Sequence, residues 1–123
     1  MKWFLVKYIY QIISGSGNYN VQFDEQFRLI VASNASNALR KSEDMADGFQ
    51  PPFKNCNGET VTWKFICVAD MNEIQMPEDG AEVMSILHEP RDVSSFLRVI
   101  EQRKAFFQEL MGSKNELSTL AES

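Results

Sequence analysis

Apolar and polar positions alternate along the first third of the chain. In residues 3–13, Phe4, Val6, Tyr8, Tyr10 and Ile12 share one parity, and Trp3, Leu5, Lys7, Ile9 and Gln11 share the other. Aromatic and β-branched residues dominate this run, which predicts a strand ending at the turn cluster Ser14-Gly15-Ser16-Gly17-Asn18. In residues 21–32, Val21, Phe23, Phe27, Leu29 and Val31 alternate with Gln22, Asp24, Gln26 and Arg28. That period of two predicts a second strand with one buried face, joined to the first as a hairpin.

The period then lengthens. Ser33 or Asn34 is placed to cap a helix whose stripe is Ala35, Ala38, Leu39, Ser42 and Met45 or Ala46, and Gly48 is placed to end it. Small side chains on such a stripe let a helix lie close to a sheet. Residues 50–58 read as loop. Residues 60–71 predict a third strand, with Val61, Trp63, Phe65 and Cys67 on one parity, and residues 81–89 a shorter fourth. Pro90 and Asp92 open a last helix with the stripe Val93, Phe96, Leu97, Ile100, Phe107, Leu110 and Met111. Gly112 is placed to end it, leaving 113–123 as a polar, frayed tail.

The expected architecture is an α+β fold of order ββαββα. Its four-stranded, mainly antiparallel sheet carries both helices packed on one face. A single domain over residues 1–112 accommodates it, with 113–123 as the tail. The halves share a faint likeness, with Trp3 and Trp63 heading the hairpins and Ala38-Leu39-Arg40 answered by Phe96-Leu97-Arg98. Internal duplication and convergence on a simple pattern both account for it.

Composition narrows the function classes. With 123 residues, 44% of them hydrophobic and 24% charged, the chain can fill one ordinary core. Lys and Arg are scattered, so the basic stripe of a nucleic-acid binder is missing. Residues 70–92 hold seven acids against Arg91, a charge of −6 within a net −5. That segment reads either as a solvated loop and edge or as a surface for a basic partner protein.

Cys56 and Cys67 form no disulfide framework, and a reducing cytoplasm is expected. Lys7, Tyr8, Tyr10 and Gln11 interrupt the apolar start and no cleavage site comes after it, so neither a signal peptide nor a membrane span is expected. The chain has one histidine, His88, and no CxxC, HExxH or EF-hand loop, so no metal or cofactor is implied.

One residue breaks the alternation. Glu25 has the parity of Phe23 and Phe27, so a regular strand turns it inward, where a carboxylate needs a partner or a pocket. Either it lies in a site, or a bulge at Asp24-Glu25 or an ion pair with Lys64 accommodates it. His88 reads as an edge residue or a site residue, and Trp3 and Trp63 as core or rim packing.

A set of short motifs is familiar in its order and spacing. These are Met1-Lys2-Trp3-Phe4, Phe23-Asp24-Glu25 before Leu29-Ile30-Val31-Ala32, and Ala38 in the first helix. Asn57-Gly58-Glu59 before Val61-Thr62-Trp63-Lys64-Phe65, and Asp79-Gly80-Ala81-Glu82-Val83 before Ser85, complete the set. Together they resemble a bacterial family of uncharacterised small domains, the domain of unknown function numbered 4288. The resemblance spans roughly residues 1–89, and the last helix and tail are an addition to it. It implies a small stand-alone bacterial protein without an assigned activity. Glu25, Glu59, Trp63, Lys64 and Glu82 are the positions matching its pattern.

Three function classes are compatible with these features. The first is a non-enzymatic binding or assembly module that self-associates, as a homodimer, through the sheet face its helices leave open. Leu5, Ile9, Ile30, Ile66 and Val68 are expected on that face. The second is a small enzyme or ligand-binding protein with Glu25 and Lys64 in a pocket. The third is an immunity or antitoxin-like partner of a basic protein through residues 70–92.

Overall fold

A computed structural model of the chain describes residues 1–17 and 20–122, with side chains as far as Ser113. In chain order the elements are β1 (Lys2–Ser14), β2 (Gln22–Ala32), α1 (Ala35–Met45) with a single 3-10 turn Ala46–Gly48, β3 (Phe53–Lys54), β4 (Thr60–Ile74) and α2 (Val93–Glu122). The strands form one antiparallel sheet in the order β2-β1-β4-β3, so the fold is α+β with β1 at the centre. The chain divides into two compact units, Met1–Ser85 and Ile86–Ser123.

β1 is central because both of its parities are apolar enough to be covered. Phe4, Val6, Tyr8 and Tyr10 are buried on one face, and Leu5 is buried on the other. α1 packs on the first of these faces. Asn34 caps it, its side-chain oxygen accepting from the Asn37 N–H at 2.8 Å. Ala38, Ser42 and Ala46, four residues apart, form the buried line that lets the helix approach. Leu39 and Met45 stay partly out of that line. The helix end is pinned by tyrosines: Tyr8 donates its hydroxyl to the Ser42 carbonyl at 2.9 Å, and Tyr10 donates to the Ala46 carbonyl at 2.6 Å. Each ring adds about 2 kcal/mol of apolar burial, and each hydroxyl satisfies a carbonyl that helix geometry leaves without a donor.

Two bulges decide what β4 contributes. The register slips between Tyr10↔Phe65 and Ile9↔Cys67, leaving Ile66 extra, and again between Tyr8↔Val68 and Lys7↔Asp70, leaving Ala69 extra. Each extra residue reverses the parity of the residues beyond it. Trp63, Phe65, Val68 and Met71 therefore all pack on the α1 side. Cys67 does not share a face with Phe65, as strict alternation predicts, but lies on the opposite face and is exposed.

Three further expectations are corrected. Residues 81–89 form no strand; the fourth strand is Phe53–Lys54, inside the segment read as loop and too short to show any period. Gly112 does not end the last helix, because a lone glycine weakens a helix by only about 1 kcal/mol. The side chains read as a polar, frayed tail over 114–123 lie outside the described residues. The pattern of α2 places its stripe in the core, yet Val93, Leu97 and Phe107 are 61%, 54% and 58% exposed. Within the unit Met1–Ser85, α1 packs on the sheet.

Candidate functional site

Pairing with β1 determines which side of β2 looks where. Phe4, Val6, Tyr8 and Tyr10 stand opposite Ile30, Arg28, Gln26 and Asp24. Directly opposed residues project to the same side of a sheet, so the polar parity of β2 shares the α1 face. There it forms a linked chain. Arg28 donates from Nε and an Nη to Gln26 Oε1 at 3.2 and 2.9 Å. Gln26 donates to Asp24 Oδ2 at 2.8 Å, and the Trp63 indole N–H donates to the same oxygen at 3.1 Å from across β1. The Arg28 guanidinium lies 3.8 Å from the centre of the Phe49 ring, which itself meets Tyr8 edge-on.

Every group in this chain has a partner, and no described buried side-chain polar atom lacks one. Burial pushes the Tyr8 and Tyr10 hydroxyls above the usual phenol value, against the opposing pull of Arg28. The arrangement fastens the edge strand and α1 to the sheet.

The opposite, open face is the unusual surface. Trp3, Leu5, Lys7, Ile9 and Gln11 stand opposite Val31, Leu29, Phe27, Glu25 and Phe23. The apolar parity of β2, expected under the helices, is thus turned away from α1. Leu29, Phe27 and Phe23 are 47%, 49% and 61% exposed. Lys7 lies 5.5 Å from the centre of the Phe27 ring. On the β4 side the same face carries Lys64, Cys67, Asp70 and Ile74.

The expected membership of this face changes accordingly. Leu5 and Ile9 belong to it, whereas Ile30 and Val68 lie on the α1 face and Ile66 is a bulge residue. Its apolar surface comes instead from Phe23, Phe27 and Leu29.

The six residues singled out from the sequence are dispersed. Glu25 is exposed at the Ile9 rung and makes no hydrogen bond or ion pair among the described residues, so it is not the inward carboxylate its parity predicts. Its parity is indeed that of Phe23 and Phe27, but the face this selects is the open one. Lys64 shares that face at the Gln11 rung and is exposed. Trp63 is on the other face, bonded to Asp24 and beside the Phe53 ring.

Glu59 lies against the β1–β2 turn, where Gly15 adopts a φ of +55° and a side chain would run into the Glu59 carboxylate. Glu82 lines a shallow depression of about 370 Å³ with Glu73, Ile74 and Val83. The His88 ring lies tilted beside the Phe96 ring, 5.3 Å between centres. The residues that sequence reasoning misses are Asp24, Gln26 and Arg28. Their polar alternation reads as a solvent-facing side, and only the β1 register reveals otherwise.

A second shallow depression, about 420 Å³, runs between the end of β2 and α1 past Ser33, Asn37, Arg40 and Asp44. No group of three or more potential metal ligands gathers among the described residues. No described helix is long and apolar enough to cross a membrane.

The model of one protein family, described as "Domain of unknown function (DUF4288)", matches residues 3–85 of this chain. No curated protein and no solved structure matches it. The chain belongs to the DUF4288 family, and the matched segment is almost coextensive with the compact unit Met1–Ser85.

Proposed function

We propose that this family member is a non-enzymatic binding and assembly module that joins a second copy of itself through the open face of its sheet. The observation that carries the reading is the orientation of β2. Its apolar residues Phe23, Phe27 and Leu29 look away from α1 and stay about half exposed or more. An antiparallel sheet keeps one face in water when that face is mostly polar, which this one is not.

Size supports the reading. The eleven paired rungs of β1 and β2, at about 3.4 Å each, and three strands about 4.8 Å apart cover a face of about 500 Å². Covering it on two copies removes on the order of 1,000 Å², the lower bound for a specific interface. Charge supports it too, because the face carries Lys7 and Lys64 as well as Glu25 and Asp70. A partner surface can therefore answer it with charges of either sign.

The enzyme reading draws less support, since Glu25 and Lys64 are both exposed. The acidic-partner reading rests on charge alone. A bacterial cytoplasm suits the module, as both cysteines are exposed and unpaired.

Sedimentation velocity at micromolar concentration tests the proposal. The expected result is twice the chain mass, falling to the chain mass in a Phe27→Asp, Leu29→Asp double variant that retains its circular dichroism spectrum. A wild-type monomer overturns it.

A further inference from the structure

The chain holds a second unpartnered apolar surface, and it matches the first. At about 100° per residue, all the large apolar residues of 93–111 fall within one half of the α2 circumference, from Phe106 round to Leu97 with Ile100 inside. The other half carries Ser94, Arg98, Glu101, Gln102, Gln108 and Glu109. Asp92 sets the helix start by accepting from the Ser95 N–H and hydroxyl at 3.1 and 2.8 Å.

An arc of about 180° is wider than the two-column seam of a coiled-coil pair, and suits a helix laid on a broad apolar layer. Along its axis the arc covers about 28 Å, at about 1.5 Å per residue. The open sheet face runs about 35 Å, at about 3.4 Å per strand residue. Arg103 and Lys104 are the only polar residues inside the arc, and the open face offers them the carboxylates of Glu25 and Asp70 beside its own Lys7 and Lys64. Ile100 and Leu110 are 39% and 40% exposed, and Phe27 and Leu29 49% and 47%.

We infer that the occupant of the open sheet face is the α2 arc of a second copy, exchanged reciprocally, so that each sheet is covered by its partner's helix. The inference rests on the self-association proposed for the open face and adds to it which surface meets which. Helix meets sheet in this pairing, and the two like surfaces of the copies do not meet each other. The exchange is isologous and closes as a dimer.

Cys67 makes the arrangement testable, because it is exposed at the Ile9 rung, near the middle of the open face. The full chain carrying Cys56→Ser, to leave one native thiol, and Ile100→Cys, at the centre of the arc, is treated with a mild oxidant. It is then run on a non-reducing gel and by mass spectrometry. The expected product is a disulfide-linked dimer in most of the protein, joined between Cys67 and position 100. It falls to background when Cys67→Ser is added or Ile100→Cys is reverted.

A dimer that forms through Cys67 alone would mean that sheets meet, and one that forms through position 100 alone would mean that helices meet. Either overturns the exchange while leaving self-association standing. A disulfide within one chain, together with a monomeric wild type in sedimentation, overturns both.

Discussion

On its α1 face the sheet sets Phe4, Val6, Tyr8 and Tyr10 of β1 beside Ile30, Arg28, Gln26 and Asp24 of β2. On its open face it sets Leu5, Ile9 and Gln11 beside Leu29, Glu25 and Phe23. The covered face is thus built from the apolar side of one strand and the polar side of its neighbour. The open face receives the apolar side that was left over. The difference teaches that a strand's alternation identifies two sides without saying which is inside. That choice is made by the neighbour's register and by which polar groups can find partners under a helix. Here Arg28, Gln26 and Asp24 can, because Phe49, Trp63 and one another satisfy them.

The sharpest way to break the contrast is to place one charge on each side. Val6 is fully buried on the α1 face, and Val6→Asp is expected to cost on the order of 4 kcal/mol or more, abolishing a cooperative urea transition. Phe27→Asp, on the adjacent column of the open face, is expected to move the midpoint by no more than about 0.5 kcal/mol in protein dilute enough to be monomeric. Equal effects would refute the assignment of faces.

Next in size are the tyrosines. Tyr10→Phe removes the donor to the Ala46 carbonyl and is expected to cost about 1–2 kcal/mol in urea unfolding. The same hydroxyls predict a pH limit. Burial holds both phenols above their ordinary value of 10.0, so the folded chain keeps protons that the unfolded chain gives up. Their contribution is intact below pH 10.0 and is lost as pH rises through the raised folded values. A thermal midpoint that holds level across that range, and is unaltered by Tyr10→Phe, would argue against it.

Smaller again is Arg28→Gln, which takes the guanidinium off Phe49 and is expected to lower stability by about 1 kcal/mol. Glu25→Gln closes the series with a change inside about 0.5 kcal/mol, because Glu25 is exposed. A loss above about 1 kcal/mol by the same measurement would reveal a partner for it.

Much of this was legible in the residues. The first hairpin, Asn34 as cap, the small-residue line through Ala38 and Ser42, and the third long strand all come from period and turn chemistry. What was not legible lies in pairing. A two-residue strand such as Phe53–Lys54 has no period to read. Residues 81–89 have the composition of a strand yet form none among the described residues, since a strand exists only where a neighbour hydrogen-bonds to it.

The bulges at Ile66 and Ala69 carry no local signature, yet they move Cys67 and Val68 to the opposite faces from those their parity indicates. The site residues fare less well for a related reason. Glu25, Lys64, Trp63, Glu59, Glu82 and His88 are marked by pattern and residue type, and nothing in either brings them to one place.

Those two bulges have a bearing on the protein's colloidal behaviour. Among the described residues β4 pairs with β3 only at Thr60 and Val61, so from residue 62 to Ile74 its outer rim pairs with no strand. A straight edge of that length, with Ile66, Val68 and Ile74 along it, would be a template on which further chains could stack into cross-β fibrils. Ile66 and Ala69 interrupt the even spacing of donors and acceptors along it, and each adds local twist. The same insertions that sort side chains between faces thus spoil the rim as a nucleus for fibril growth.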